Sequence, residues 1–245
     1  MRALLLGTTG YHPTDSRQTA CVLLPDLGIA FDAGTGMFRV GRHLTTDTLD
    51  IFISHAHLDH VVGLTYFFTL LFERPGQKIV VHDDAGKLAS VRENLFAADF
   101  FPVKPTFTWE PIEPLTTLAN GAKLRSFPLI HPGGSIGYRL EFQGRSLAYV
   151  TDTTACADAA YIEQIRGVDL LLHECNFPNG QDELAKKTGH SCLDDVARVA
   201  AVAGVKRLVL IHFDPVLEVP AEQVEAARRI FPSIQAGSDN LELDF

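Results

Sequence analysis

The sequence predicts an α/β protein in which two packed β-sheets are covered by helices. Two observations predict this class: strand-like runs first follow one another as meanders and then alternate with helical patterns, and this succession occurs twice along the chain. The proline-rich segment Phe101–Pro114 is predicted to connect the two halves. Because the candidate site draws on both halves, we expect residues 1–245 to form a single functional domain.

Short apolar or alternating runs bounded by Gly, Pro or Asp predict ten strands. They are Ala3–Leu6, Ala20–Leu24, Ile29–Asp32, Leu49–Ile53, Ile79–His82, Leu124–Ile130, Ile136–Phe142, Ser146–Val150, Asp169–His173 and Arg207–His212. Helical periodicity predicts five helices: Leu64–Glu73, Ala85–Phe96, Asp158–Arg166, Ser191–Ala203 and Ala221–Ile230. Ser191, followed by acids in the first turn, is the expected N-cap of the fourth helix.

Composition and charge exclude several classes of protein. Apolar residues make up 46% and charged residues 21% of the chain, as in soluble globular domains, so disorder and coiled coil are excluded. The net charge of −9 disfavours binding to extended nucleic acid or to anionic membranes. The apolar runs are shorter than the roughly 18 residues of a membrane span. Four dispersed cysteines without a C-x-x-C pair predict no disulfide framework and a cytoplasmic location.

Four potential metal ligands follow the apolar strand that ends near Ile53. They are His55, His57, Asp59 and His60, within six residues. His55 and His57 are two residues apart in an extended loop, so their side chains are expected on the same side of the chain. Asp59 and His60 lie at the turn into the next helix, where their side chains can be directed at a second metal position. Imidazole and carboxylate without thiolate suit catalytic zinc, manganese or iron. This density predicts a metal site and not a polar surface loop.

Three further polar residues stand at the ends of predicted strands. His131, Asp152 and His212 each follow a hydrophobic run. Sheets of α/β proteins present ligands at the carboxyl ends of their strands. We therefore expect these three residues to converge with the first cluster.

The succession H-x-H-x-D-H at His55–His60, then His131, Asp152 and His212, resembles the metallo-β-lactamase superfamily. The resemblance implies a four-layer αββα sandwich with two divalent metal ions, zinc first and manganese or iron as alternatives. It assigns His55, His57 and His131 to one ion, Asp59, His60 and His212 to the other, and Asp152 as the bridge. Asp32, in a D-x-G turn, would support a ligand. His57 stands where oxygen-reducing diiron members carry a carboxylate, which favours hydrolysis.

Within that superfamily the chain resembles the ribonuclease Z-like phosphodiesterases, including cyclic phosphodiesterases. The segments that carry this resemblance are His55–Leu64, His131–Arg139, Leu171–Asn176 and Gly189–Ser191. It implies that Glu174 orients His190, that His190 contacts the scissile phosphate, and that a metal-bridging hydroxide attacks. With Asp59, these two are the expected catalytic residues. The resemblance also implies a homodimer.

The chain departs from the transfer-RNA-processing members of that family. Those enzymes carry a long arm between the motifs that match His131 and Asp152, where this chain has an interval of 21 residues. The closing segment His212–Pro215 also lacks their Ser-Arg-rich form. With the acidic charge, these differences favour a small or cyclic phosphodiester over transfer RNA.

Two other functions are compatible with the same residues. A lactone, ester or thioester hydrolase would use the same two-metal site beside an apolar pocket, whose wall could come from Phe67, Phe68, Phe96, Phe100 and Phe101, although aromatic residues at helical spacing are more often core. A non-catalytic binding protein is disfavoured, because such proteins usually lose ligands. His173, Cys175 and Cys192 are expected to pack beside the site without binding metal.

Overall fold

The computed structural model describes all 245 residues and contains 14 strands and eight α-helices. The strands are β1 (Arg2–Gly7), β2 (Cys21–Leu24), β3 (Ile29–Phe31), β4 (Thr48–Phe52), β5 (Lys78–Asp83), β6 (Thr108–Pro111), β7 (Leu115–Thr117), β8 (Lys123–Leu129), β9 (Ser135–Phe142), β10 (Arg145–Val150), β11 (Leu170–Glu174), β12 (Leu208–Ile211), β13 (Ile234–Ala236) and β14 (Leu241–Asp244). The helices are α1 (Val40–His43), α2 (Leu58–Val61), α3 (Phe67–Glu73), α4 (Ala85–Ser90), α5 (Ile162–Ile165), α6 (Asp182–Thr188), α7 (Leu193–Ala203) and α8 (Ala221–Ala227).

The chain divides into two compact units. The first unit contains residues 1–112 and 239–244, and the second contains residues 113–238 and Phe245. The division after Ile112 falls inside the proline-rich segment that the sequence predicts as the connection. Whether the two units act as one functional domain stays a prediction.

Each unit is built on one seven-stranded mixed sheet. The first sheet has the order β14-β1-β2-β3-β4-β5-β6, and the second has the order β13-β12-β11-β10-β9-β8-β7. In the first, β14, β1, β2 and β3 pair antiparallel, and the steps from β3 to β6 are parallel. In the second, β7 to β10 pair antiparallel and β10 to β13 pair parallel. The repeat expected from the sequence is therefore present as an antiparallel meander followed by parallel strands in each unit.

Each unit has its own hydrophobic core, formed where the apolar side of the sheet meets its helices. In the first, Ile51 on β4 and Val81 on β5 pack with Leu70 of α3 and Leu88 of α4. In the second, the inner face of α7 packs against β11 and β12, and its buried side chains recur at the helical period. No helix of the chain combines the length and the apolar character needed to cross a bilayer.

All ten predicted strands are present, with ends shifted by at most one residue. Four short strands were not predicted: β6, β7, β13 and β14. They are three or four residues long, and they form by pairing with neighbours that are strongly apolar. β14, for example, pairs antiparallel with β1, with Arg2 opposite Asp244. Such long-range pairing leaves little local signal in the sequence.

The helical predictions need several corrections. The region predicted as Leu64–Glu73 is α-helical only from Phe67, and the region predicted as Ala85–Phe96 is α-helical only to Ser90. Helix α8 ends at Ala227 and not at Ile230, and α1, α2 and α6 were not predicted. The region predicted as Asp158–Arg166 is helical only at Ile162–Ile165.

Ser191 is not the N-cap of α7: Cys192 occupies that position without a side-chain cap. The Ser191 hydroxyl instead donates to the Thr153 carbonyl oxygen at 2.6 Å and accepts from the Ala155 amide at 2.9 Å. The Ser191 side chain therefore fixes the loop that follows Asp152. The sequence near Ser191 does not reveal this long-range contact.

Candidate metal centre

Polar side chains follow the parallel strands of both sheets at their carboxyl ends. In the first unit, Asp32 follows β3 and His55 follows β4 closely. In the second unit, Asp152 follows β10, Glu174 ends β11 and His212 follows β12. Since neighbouring parallel strands end at one edge of their sheet, each unit gathers its own group of polar residues there. The two groups are described separately below.

In the first unit, His55 and His57 present two ring nitrogens to each other. Nε2 of His55 lies 2.8 Å from Nδ1 of His57, and the ring centroids are 4.3 Å apart. Two nitrogens that bind one tetrahedral zinc at 2.0–2.1 Å lie about 3.4 Å apart. A small opening of this pair would therefore admit one ion, and the i, i+2 spacing places both rings on one side as the sequence predicts.

Asp59 and His60 form a second pair in the same unit. Nε2 of His60 lies 3.3 Å from Oδ2 of Asp59. Nδ1 of His60 lies 2.8 Å from Oδ2 of the buried Asp32, so the carboxylate accepts the Nδ1 proton and leaves the Nε2 lone pair directed at Asp59. The expected support of a ligand by Asp32 corresponds to this hydrogen bond. Ser54, which sequence reasoning missed, donates to Asp32 through its amide at 2.6 Å and its hydroxyl at 2.8 Å.

The loop after β1 also contacts this group. The Tyr11 amide donates to Oδ2 of Asp59 at 2.8 Å, although Tyr11 itself has a positive φ of 58° and an exposed ring. The loop is anchored by Asp239, which accepts from the Gln18 amide and from Arg39. A main-chain contact of this kind has no signature in the sequence, so it was not predicted.

In the second unit, the two carboxylate oxygens of Asp152 face two different histidines. Oδ1 lies 3.6 Å from Nε2 of His131, and Oδ2 lies 3.4 Å from Nε2 of His212. All three side chains are almost fully buried. A carboxylate with one oxygen toward each of two ligand nitrogens has the arrangement required to bridge two metal ions.

Both histidines have a further supporting contact, His131 through its ring and His212 mainly through its main chain. Nδ1 of His131 donates to the Gly189 carbonyl oxygen at 3.0 Å, which leaves Nε2 unprotonated toward Asp152. The Asn176 amide nitrogen donates to the His212 carbonyl oxygen at 3.0 Å and lies 3.4 Å from Nδ1 of that ring. Such supporting contacts fix ring orientation in metal sites.

Glu174 and His190 form a hydrogen-bonded pair beside these residues. Nδ1 of His190 lies 3.0 Å from Oε1 of Glu174. The Glu174 side chain is fully buried and also accepts from the Thr153 amide at 2.8 Å and from the Asn176 and Ser191 amides at 3.2 Å. Four donors thus compensate for the loss of water around this carboxylate.

The His190 ring lies among the candidate ligands of the second unit. Its centroid is 5.1 Å from that of His131 and 5.5 Å from that of His212, and Phe177 packs edge-on at 6.2 Å. Asp152, His190 and His212 bring potential ligand atoms within 4.8 Å of one another. The structure therefore brings the predicted His190 and Glu174 together with the second-unit ligands.

Three of these site residues have strained backbone. Asp32, Asp152 and His212 have φ values of 57°, 53° and 57°, in the left-handed region that most non-glycine residues avoid. Each follows a strand directly or after one residue, and the turn aims its side chain along the sheet edge. Strain of about 1–3 kcal/mol per residue persists where the surroundings enforce it, often at functional sites.

His173 is occupied at both ring nitrogens. Nδ1 donates to the Glu174 carbonyl oxygen at 2.7 Å, and the Tyr161 hydroxyl donates to Nε2 at 2.9 Å. Burial lowers the pKa of His173 and raises that of Tyr161, so both stay uncharged. This residue therefore packs beside the site without a free lone pair, as expected. Cys175 and Cys192 are buried free thiols.

Four of the five phenylalanines considered for an apolar pocket contact one another, and Phe68 stacks on Phe67 at 4.3 Å and on Phe101 at 6.4 Å. Phe67 and Phe96 are buried in the core of the first unit, where Phe101 packs against them at 5.7 and 5.4 Å. Phe68 and Phe100 are exposed. Most of this aromatic group serves packing, which is the interpretation that its helical spacing favours.

The donor set of each unit fits divalent ions. All seven candidate ligands are imidazole or carboxylate groups, the combination that catalytic zinc, manganese and iron sites use. Two buried carboxylates, Asp32 and Glu174, hold imidazoles and offer no open ligand position.

Comparison with known proteins places these observations in a family. A model of the beta-lactamase superfamily domain matches residues 28–213. Ribonuclease Z of Synechococcus sp. (strain CC9605) is 39% identical over 317 positions, covering 100% of this chain and 98% of that protein. Ribonuclease Z of Metallosphaera sedula is 26% identical over 288 positions, covering 95% of this chain and 94% of that protein.

Solved structures confirm the predicted fold class. Human tRNase Z, short form, has a TM-score of 0.74 at 22% identity and covers 100% of this chain and 98% of its own. A diphosphatase from the PhnP family has a TM-score of 0.73 at 23% identity, with the same coverage. The metallo-beta-lactamase fold protein YhfI from Bacillus subtilis has a TM-score of 0.78 at 19% identity and covers 99% of this chain and 98% of its own. This fold implies divalent metal ions. The chain belongs to the metallo-β-lactamase superfamily, in its ribonuclease Z-like branch of metal-dependent phosphodiester hydrolases.

Proposed function

We propose that the protein is a dinuclear phosphodiesterase that acts on small or cyclic phosphodiesters. The observation that carries this proposal is the Glu174–His190 pair, which holds a proton-donating ring between His131 and His212. A carboxylic-ester or lactone hydrolase would need no residue that protonates an alkoxide departing from phosphorus.

The proposed ligand set follows the family pattern. One ion would be held by His55, His57 and His131, and the other by Asp59, His60 and His212, with Asp152 shared between them. Supporting this assignment, the paired atoms within each unit are spaced and oriented as ligands, and Asp152 directs one oxygen at each of two histidines. Zinc is the proposed ion, with manganese or iron as alternatives.

Two bound divalent ions would supply Lewis-acid stabilisation of phosphoryl charge and a nucleophile at neutral pH. The chain's own residues would position this chemistry. Asp32 and the Gly189 carbonyl hold His60 and His131 by Nδ1, so that both rings keep Nε2 directed inward. Glu174 would stabilise the protonated form of His190, which could then donate a proton to the departing alkoxide.

Two observations support a small substrate. The interval between His131 and Asp152 contains a turn and the hairpin of β9 and β10. The alignments to the two relatives extend over 317 and 288 positions, more than the 245 residues of this chain, so both relatives contain segments that it lacks. Because the relatives are named as ribonucleases, precursor transfer RNA is the competing substrate.

A substrate panel separates these functions. The purified protein would be loaded with zinc or manganese and assayed on bis-p-nitrophenyl phosphate, 2′,3′-cyclic AMP, precursor transfer RNA, p-nitrophenyl acetate and a lactone. We expect turnover of the first two and none of the last three. Efficient cleavage of precursor transfer RNA would overturn the small-substrate proposal, and ester turnover without phosphodiester turnover would reject the phosphodiesterase.

Replacing His190 tests its role as proton donor. We expect His190→Ala to lower kcat on 2′,3′-cyclic AMP by about 100-fold to 10,000-fold, because an alkoxide leaves poorly without a proton. The loss should be much smaller on bis-p-nitrophenyl phosphate, whose leaving group needs no proton. Metal content by elemental analysis should stay at the wild-type level. His43→Ala, at an exposed histidine of the first unit, is the matched control. Equal losses on both substrates would contradict the assigned role.

A further inference from the structure

A surface cavity in the first unit lies among residues that the metal chemistry does not use. Its volume is about 440 Å³, and Arg92, Glu93, Phe96, Lys104 and Trp109 line it. Small-molecule sites in proteins typically measure about 300–1,000 Å³. None of these five residues is a candidate metal ligand or a candidate catalytic residue, so the cavity is separate from the groups described above.

The cavity has an aromatic wall. Trp109 lies on the edge strand β6, and its ring centroid is 6.1 Å from that of the buried Phe96, nearly perpendicular to it. The Arg92 guanidinium lies over the Trp109 ring, with its central carbon 5.9 Å from the centroid. Such a wall offers both a flat apolar surface and a planar cation for stacking.

The part of the cavity wall that carries Arg92 and Glu93 is not regular α-helix. Helix α4 continues into a π-helical turn at Val91–Leu95, which carries Arg92 and Glu93. Single π-helical turns are frequent at functional sites. Here the wider turn places a cation and a carboxylate next to each other on the rim.

The charge at this cavity runs against that of the whole protein. The chain carries a net charge of −9, yet two of the three charged residues here are cations. The Lys104 ammonium donates to the Phe96 carbonyl oxygen, which holds it at the cavity and leaves its other protons for a ligand. A pair of cations beside an aromatic wall suits an anion attached to a planar ring.

We propose that this cavity binds a nucleoside monophosphate. Arg92 and Lys104 would hold the phosphate, the base would pack against the partly exposed Trp109 ring, which the buried Phe96 supports from the core, and Glu93 would accept hydrogen bonds from ribose hydroxyls. The proposal is independent of the proposed activity, since none of these residues takes part in it.

Trp109 is the only tryptophan of the chain, so its fluorescence reports on this cavity alone. The metal-loaded protein would be titrated with AMP, a phosphomonoester that a diesterase does not consume. We expect a saturable change in emission. Arg92→Ala and Lys104→Ala should each weaken AMP binding about tenfold or more, because each removes a charge-assisted hydrogen bond. Arg42→Ala, at an exposed arginine paired with Glu73, should leave the affinity unchanged.

Titrations with inorganic phosphate and with adenosine test separately how the cavity binds the phosphate group and the nucleoside. Each should bind at least about tenfold more weakly than AMP, since each lacks one of the two groups. Calorimetry on Trp109→Phe should detect retained but weaker binding, with an unchanged circular dichroism spectrum. The proposal is overturned if AMP gives no saturable change, if phosphate or adenosine binds as tightly as AMP, or if Arg92→Ala and Lys104→Ala bind AMP like the wild type.

Discussion

The two units gather their candidate ligands in different ways. The first unit takes all four from the segment after β4, two from the loop and two from helix α2, within six residues of sequence. The second unit takes three from loops after β8, β10 and β12, which are up to 81 positions apart. In the first unit the spacing of one motif sets the geometry, whereas in the second the sheet itself sets it. The second group should therefore tolerate less change, because Asp152 alone joins its two histidines.

The largest expected effect distinguishes Asp152, the carboxylate proposed to be shared by two metal ions, from Asp59, which is proposed to bind one. Asp152→Asn should lower kcat/KM on bis-p-nitrophenyl phosphate by about 1,000-fold or more. Losing this charge weakens the binding of both metal ions, and each ion supplies several kcal/mol of transition-state stabilisation. Asp59→Asn should remove mainly one ion. Elemental analysis should find less than one metal ion per chain in the first variant and about one in the second. Equal metal content in the two variants would contradict the proposal that Asp152 binds both ions and Asp59 only one.

A smaller effect is expected from the residues that hold the ligand rings. Asp32 accepts from Nδ1 of His60, whereas Asn176 donates to the main-chain carbonyl oxygen of His212. Asp32→Asn should lower metal affinity by about 10-fold to 100-fold, the usual consequence of losing such a support. Competition with a chromophoric chelator measures this affinity. Asn176→Ala is the matched variant in the second unit, and unchanged affinity in both would show that the rings are held by packing alone.

The smallest expected effect concerns two buried carboxylates at strand ends. Glu174 has four hydrogen-bond donors, whereas Oδ2 of Asp83 at the end of β5 is buried without a partner. Burial raises the pKa of Asp83 to about 7, against lowering contributions from the Asp84 amide and Lys87 and small raising ones from Asp32 and Asp84.

The sign of the pH effect follows from the raised pKa. Between about pH 4 and pH 7 the folded protein binds more protons at Asp83 than the unfolded chain, so the free energy of unfolding falls as pH rises through this window. Asp83→Asn removes the ionisable group and with it this fall in stability. Its free energy of unfolding should exceed that of the wild type by about 1–2 kcal/mol at pH 8 and differ little at pH 4. Urea unfolding at both pH values measures the difference between the two proteins. A variant that is less stable at pH 8 would show that the carboxylate has a favourable role.

The sequence predicted the ligand-bearing strands better than the elements that support them. Strong apolar runs made β4, β10 and β12 recognisable, and the polar residue after each was visible for the same reason. By contrast, β6 and β14 are short and form only by pairing with distant strands, so their local patterns carry little information.

The supporting contacts of the site could be predicted only in part. Asp32 and Glu174 were identified because they stand in motifs of the family, and each lies within hydrogen-bond distance of the imidazole that it was expected to hold. Ser54, Asn176 and the Tyr11 amide were missed because a hydroxyl, an amide and a main-chain group have many other uses. The Ser191 hydroxyl was assigned to a helix N-terminus, but its tertiary contact with Thr153 takes precedence over the local capping pattern.

The left-handed backbone at Asp32, Asp152 and His212 restricts how this centre can be redesigned. Alanine at any of these positions would add conformational penalty to the loss of the functional group, so an alanine scan would overstate the importance of the side chain. Asp, Asn and His are the non-glycine residues that adopt this conformation most readily. An engineer who wishes to change ion preference should therefore exchange these three residue types among themselves at such positions.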